Sequence, residues 1–566
     1  MLTIKSTYAD KPWFKSYFIG PYKLPKSLEP YPKIPVYKFL EDSAAKFPNQ
    51  TACIYLDQQM TYAELKLKVD KLATALADLG VKKGDRVATI LPNSPQFIIS
   101  DYAIMRLGAV HVPISIAHKA PDLLYEIGES EAQTVICSYP RLELINSIKS
   151  KTKIKNIIFT HVPVFPDYST SDERKVNGAY LLEDLIENYE PNPPKVDINP
   201  MEDLALLPFT GGTTGVPKGV MLTHYNITTN ALQVLWMMKP LEIALKGKAS
   251  TLICVPLFHQ YGHEILHQNV AWALRTILTD PRDIDKIVEL TRKYRPFMVV
   301  GVPTHFMLLL NKDLPRMPIF LYSGAAPLPP DVAEKIEKKI GVPMGEGYGL
   351  TEASPTTHLN LSAFSKVTGF MTKVKRSIGV PVPDTEVKIV DPETGEEVPI
   401  GETGELYIRG PQIMKGYWPN PGSGLKDGWL ATGDIAKMDE DGYFYIVDRI
   451  KDMINVSGMK VYSRVVEDIL YEHEAVALAG VIGIPDPNRP GSERVKAFIK
   501  LKPEYEGKVT AEEIIKYCKE KLPDYAVPKF VEFRKDLPLT HVMKIFKRKL
   551  REEEIAKIKE KGEIPS

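Results

Sequence analysis

The chain has 566 residues, with 72 Lys+Arg against 71 Asp+Glu and a formal net charge of +1. That balance gives no electrostatic case for nucleic acid as the main partner, and the length calls for at least two domains. The four cysteines (Cys53, Cys137, Cys254, Cys518) are scattered, which argues against a disulfide framework or a thiolate zinc site and fits a reducing, cytoplasmic compartment.

No uninterrupted apolar run approaches the ~18 residues needed to cross a bilayer. Residues 1–12 also lack an apolar signal core. The expectation is a soluble protein without a transmembrane segment. Peripheral membrane association and a homodimer are left open.

In chain order, residues 66–79 carry apolar side chains at helical spacing (Leu67, Val69, Leu72, Ala73, Leu76, Leu79) and stop at Gly80, predicting a helix. Short apolar runs at 86–91, 134–137 and 156–159 read as strands, and 97–107 as a helix ended by Gly108. Alternation of this kind predicts α/β layers around largely parallel sheets. Residues 363–416 read as a β-rich subdomain with strands at 386–390 and 405–409. Asp439-Glu440-Asp441-Gly442 reads as a hairpin turn before a strand at 443–447.

Beyond Arg449 a further α/β segment begins: helix 464–473, strands 477–484 and 495–501, helix 511–521. The stretch 544–561 reads as a charge-dense helix with Ile545, Leu550, Ile555 and Ile558 as a weak stripe. The expected architecture is α/β: a large N-terminal domain (1–449) of layered α/β subdomains plus a β-rich subdomain, and a small mobile α+β C-terminal domain (450–566).

The most informative segment is 208–219, with Thr210, Gly211, Gly212, Thr213, Thr214, Gly215 and Lys218. Glycines let backbone N–H groups approach phosphate, threonines add hydroxyl donors, and the lysine adds one cation. It is not a Walker loop, because Lys218 follows Pro217 and precedes Gly219.

At these residues the sequence resembles the adenylate-forming superfamily of acyl-CoA synthetases, luciferases and adenylation domains. Further segments match in order: 347–352 with Glu346 before it, 429–434, 448–454 with Ser457-Gly458, and Pro538-Leu539-Thr540 followed by Lys544. The resemblance implies ATP, Mg²⁺ and coenzyme A as partners of a carboxylic acid. It places 210–218 on the β- and γ-phosphates, and Thr351 on the α-phosphate. Glu352, with Thr214, falls on the metal. Tyr348, beside Gly347, stacks on adenine.

It also implies an adenine-side loop at Gly324-Ala325-Ala326, ribose contacts from Asp434 and Arg449, and His259 at the edge of the acyl pocket. Lys544 would serve the first half-reaction. Lys451 falls at a hinge about which the C-terminal domain rotates, and Ser457 and Gly458 fall at the CoA tunnel. One departure is Met543, where the family generally has glycine.

His263-Glu264-Ile265-Leu266-His267 matches the H-E-x-x-H zincin pattern, but no third-ligand pattern follows, so a metalloprotease is disfavoured. The neighbourhood of His259 offers no Asp to pair a substrate α-amine, which disfavours an amino-acid-activating domain. The opening segment (Trp13, Phe14, Tyr17) and Gly211 resemble fatty-acyl-CoA ligases. A medium- or long-chain fatty acid is the expected substrate, with an aryl or short-chain acid, or a luciferase-like adenylating oxidase, as alternatives.

Overall fold

The computed structural model describes residues 8–162, 175–211, 216–314, 316, 319–367, 369–371 and 374–561. The predicted rhythm produces two large, mainly parallel sheets. In the first, Val110–Pro113, Arg86–Ile90, Thr134–Ser138, Asn156–Thr160 and Tyr180–Leu181 run parallel, with Leu204–Leu206 beside Val110–Pro113 and the antiparallel Pro217–Thr223 beyond it. In the second, the parallel order is Gly345–Gly349, Phe320–Ser323, Met298–Gly301, Ser250–Ile253, Arg275–Leu278, Thr51–Tyr55.

Helices cover both sheets for reasons visible locally. Tyr62–Asp78 opens on a capping box in which the Thr61 hydroxyl accepts the Glu64 N–H, while Glu64 accepts the Thr61 N–H, satisfying donors the helix leaves open. It ends where Gly80 takes φ +88°. Its Leu65, Val69, Leu72 and Leu76 are buried, each stabilising by about 1.5–3 kcal/mol. Leu67, read above as part of that stripe, lies 46% exposed. It is two residues from both Leu65 and Val69, so it falls off their face.

The β-rich subdomain comprises Glu386–Val390, Gly404–Arg409, Leu425–Lys426, Trp429–Met438 and Phe444–Arg449. It reaches past residue 416, and the segment from 363 opens within a helix, Ser362–Val367. From Ile454 onward two separate apolar clusters form around Val466, Val481, Ile499 and Ile514, and around Ile482, Phe498 and Leu550. They lie on the sheet Val476–Pro485, Glu493–Leu501, Phe530–Phe533.

The terminal helix runs Lys547–Lys561, not from residue 544. Met543 takes a left-handed φ of +61°, and Leu539 bridges Ile545, so 539–545 is a tight turn that helical geometry cannot continue. Ile545 is half-buried and Leu550 fully buried, while Ile555 is 38% exposed. Among the described residues no helix is long and apolar enough to cross a membrane.

Candidate active site

Four neighbouring strands of the second sheet deliver their carboxyl-end loops to one edge. Ser250–Ile253 leads to His259, Met298–Gly301 to Val302, Phe320–Ser323 to Gly324-Ala325-Ala326, and Gly345–Gly349 to Leu350-Thr351-Glu352. The carboxyl ends of parallel strands are where open α/β sheets place ligands. Segments from His259 to Glu352 are thus brought together by strand direction.

The phosphate-loop candidate is a hairpin. Phe209–Gly211 pairs Pro217–Thr223, with Thr210 opposite Lys218. Gly212, Thr213, Thr214 and Gly215 lie outside the described residues. The Thr210 hydroxyl is buried without a partner among the described residues, a donor held ready for an acceptor.

Lys218 is exposed and its Nζ lies 5.0 Å over the Tyr417 ring. The Tyr417 hydroxyl donates to Glu352 Oε1 at 2.9 Å. Tyr417 escaped the sequence reading because it arrives from another segment. Its strand, Gly416–Tyr417, adds to the same sheet by pairing with Val220 and Met221.

A second corner forms around Asp434. Trp429–Met438 pairs Phe444–Arg449 so that Asp434 faces Arg449, whose Nε donates to Asp434 Oδ1 at 2.8 Å. The Tyr348 hydroxyl donates to Asp434 Oδ2 at 2.5 Å. Tyr348, expected to stack on adenine, is therefore tied by its hydroxyl to the acid expected at the ribose, and its ring edges against His358.

Gly347 is required by packing: an added Cβ would fall 2.4 Å from the Tyr322 hydroxyl. Glu346 is turned toward the neighbouring loop, where it accepts the Leu328 N–H at 3.2 Å. Burial pushes its carboxyl up to about 7, with Arg464 opposing. Ala325 is left-handed (φ +66°), and a Cβ at Gly324 would meet the Tyr261 ring at 2.8 Å.

Lys544 reaches this edge from the C-terminal segment. Its backbone N–H is held by the Thr540 hydroxyl at 3.1 Å, and its carbonyl accepts the Thr540 N–H at 2.7 Å. Burial lowers its ammonium to about 8, with Arg449 and Lys451 adding repulsion and Asp434 opposing. His259 is held neutral, down to about 3, by burial and by Lys544 beside it.

Lys451 sits in the short turn Ile450–Asp452 after Arg449. Ser457 and Gly458 connect the paired strands Ile454–Val456 and Met459–Val461. They form an exposed hairpin turn with φ +53° and +88°, where Arg489 donates to the Ser457 hydroxyl at 3.0 Å. A Cβ on Gly458 would meet nothing within 4 Å, so in this arrangement the glycine answers to backbone conformation and not to crowding.

The H-E-x-x-H segment starts its helix earlier than the sequence suggested, at Gln260 and not near His263. His259 is the N-cap, its Nδ1 accepting the Tyr261 N–H at 3.3 Å. Glu264 bonds Gln268, and burial raises its carboxyl to about 8. That leaves it poorly suited to the general base a zincin needs.

Loops from the carboxyl ends of a parallel sheet, with the Asp434–Arg449 corner beside them, are the setting of an AMP-binding enzyme, and the chain belongs to that family. The family described as AMP-binding enzyme matches residues 40–418, and its C-terminal domain matches 465–544. More particularly, the chain is 38% identical to the long-chain-fatty-acid–CoA ligase of Bacillus subtilis, over 96% of this chain and 98% of that one. Among solved structures it resembles an anthranilate CoA ligase in complex with anthranoyl-AMP, with a TM-score of 0.79 and 26% identity, covering 92% of this chain and 98% of that one. It also resembles a long-chain-fatty-acid-CoA ligase from Archaeoglobus fulgidus, with a TM-score of 0.66 and 29% identity, covering 92% and 99%.

Proposed function

We propose that this protein is an AMP-forming acyl-CoA ligase acting on a medium- or long-chain fatty acid. Full-length similarity to a long-chain-fatty-acid–CoA ligase supports the reaction and the acid. The observation that carries the site assignment is the convergence of Lys544, Asp434, Arg449 and His259 at one edge.

In the first half-reaction a carboxylate oxygen bonds to the α-phosphorus of ATP, and the bond to the β-phosphate bridge breaks, releasing pyrophosphate. Two anions must be held together, so positioning and charge neutralisation carry the rate. Lys544 bridges them as an ammonium. Thr210 and Lys218 hold the phosphate tail with the loop 211–215, Thr351 donates to the α-phosphate, and Gly324-Ala325-Ala326 with Tyr348 flank adenine. Asp434 accepts the ribose hydroxyls and Arg449 orients Asp434.

Magnesium fits the donor set, since Glu352 offers a carboxylate beside the phosphate hairpin. When bound it would neutralise phosphate charge, with Thr214 as a further ligand.

In the second half-reaction the CoA sulfur bonds to the acyl carbonyl carbon and AMP leaves. We assign the division between domains to 449/450, with Lys451 as the pivot. Rotation withdraws Lys544 and brings Ser457-Gly458 to the acyl-adenylate. The location we assign is the cytoplasm.

The test is pyrophosphate and AMP release with Mg²⁺ across saturated acids of graded chain length, with and without CoA. Long-chain acids are expected to give AMP and a thioester. AMP formation only with aryl or short acids would reassign the substrate, and none with any acid would reject the reading.

A further inference from the structure

Within the first two turns of the Gln260–Ala271 helix lies a buried polar cluster that the proposed chemistry does not use. His263 and His267, one helical turn apart with ring centroids 4.7 Å from each other, converge on Asp101 of the helix Pro95–Arg106. His263 Nε2 lies 3.0 Å from Asp101 Oδ1, and His267 Nε2 lies 3.1 Å from Oδ2. All three side chains are fully buried. Among the described residues this is the group whose His and carboxylate ligand atoms come together closely enough to share an ion.

His111 and His267 hydrogen-bond Asp101, and His263 is the member of the cluster that does not. His263 Nε2, despite its 3.0 Å approach, has no hydrogen-bond alignment with any described acceptor, Asp101 included. Two ligand atoms near 3 Å that do not point at each other are what neighbouring donors around a shared small cation look like. With metal–ligand bonds of about 2.0–2.1 Å, tetrahedral neighbours stand about 3.3 Å apart. Asp101 offers one oxygen to each imidazole; His267 Nε2 hydrogen-bonds Oδ2 at 3.1 Å, and a bound ion would take the place of that proton, giving two nitrogens and one carboxylate oxygen as ligands.

An outer support is present as well. His111 Nδ1 lies 2.8 Å from Asp101 Oδ1, and its Nε2 lies 2.7 Å from the Thr89 hydroxyl. The Thr89 O–H can donate to Nε2, leaving Nδ1–H to orient the carboxylate. His224 is not a ligand: its Nδ1 accepts the Val36 N–H, so the proton sits on Nε2. A buried carboxylate is costly unless compensated; the imidazoles supply hydrogen bonds, and a dication would add positive charge at the same place.

We propose that Asp101, His263 and His267 bind one divalent first-row transition ion of the zinc class, and that this ion is structural. Imidazole with carboxylate suits Zn²⁺ and Co²⁺, and full burial leaves no open position for substrate. Asp101 belongs to a helix that follows a strand of the first sheet, whereas His263 and His267 belong to a helix that follows a strand of the second. The ion therefore joins the two halves of the large body.

The test uses the full-length chain expressed in medium supplemented with Zn²⁺ or Co²⁺, then gel-filtered in EDTA. About one equivalent of metal per chain is expected. The Co²⁺ form should show the intense visible absorption of a four-coordinate nitrogen and oxygen site.

His267→Gln keeps a hydrogen-bond donor for Asp101 but removes an imidazole ligand. Its metal content should fall at least tenfold while the chain still melts cooperatively. Wild-type protein carrying no more metal than His267→Gln would overturn the proposal and leave a hydrogen-bonded cluster. Should His267→Gln fail to fold, absence of the Co²⁺ absorption from the wild-type protein would overturn it equally.

Discussion

Two loops of the C-terminal segment stand in opposite situations. The turn 540–544 is drawn into the large body, where Met543 packs against the main apolar core and Lys544 lies beside Arg449 and His259. The hairpin turn at Ser457-Gly458 faces solvent, where Ser457 bonds Ser492 and Arg489. On the function proposed above, the lysine inside and the glycine turn outside match what adenylate formation would need, and the second half-reaction would need the reverse. The difference teaches that, on this reading, the two chemistries compete for one edge, so variants in the two loops should separate them.

The largest expected effect is on the inserted loop. Lys544→Ala should slow acid-dependent ATP–pyrophosphate exchange by about 100-fold or more, the scale of losing a charge-stabilising contact in the transition state. Thioester formation from supplied acyl-adenylate should persist. Equal loss of both would break the contrast between the loops. Asp434→Ala should raise the KM for ATP by about 10–100-fold, since hydrogen bonds to charged groups contribute about 1.5–3 kcal/mol. It should do so in the adenylating direction whatever the acid.

A pH profile sharpens the same point. Lys544 is lowered to about 8 by burial, Arg449 and Lys451. A lysine depressed in the closed arrangement carries its full penalty below about pH 8. Closure is thus stabilised as pH rises toward the ordinary lysine value. The ammonium needed for chemistry, however, is lost over that range. The kcat/KM for ATP should therefore fall by about tenfold for each unit above pH 8.

In the exposed loop, Gly458→Ala places a Cβ at φ +88°, a cost of about 1–2 kcal/mol. It should slow thioester formation severalfold while leaving pyrophosphate exchange unchanged. The smallest effect is expected at His541, whose ring edges His118 of the large body at 5.4 Å. Because His118 bonds Glu126, protonating both rings opposes closure. His541→Gln should raise exchange near pH 6 by about twofold and change nothing at pH 8.

The candidate site was legible where short motifs carry a family resemblance: Thr210, Lys218, Asp434 and Lys544 each sit in such a run. The strands and helices of the parallel sheets were legible from periodicity, to within a few residues at their ends. What the sequence hid depends on convergence. Tyr417 reaches Glu352 only because its strand joins the phosphate hairpin, and Asp101 meets His263 only because two helices from different sheets pack together. The run from 544 read as helix because charge density resembles an exposed helical face. The left-handed Met543 and the Leu539–Ile545 bridge are properties of backbone geometry that residue types alone do not disclose.

The position of Lys544 has a consequence for how the protein is made. The candidate nucleotide-site residues from Thr210 to Arg449 precede it in the chain, so synthesis reaches them before it reaches the lysine. On the function proposed above, a polypeptide terminated before residue 544 would keep the residues assigned to ATP but lack the cation assigned to adenylation.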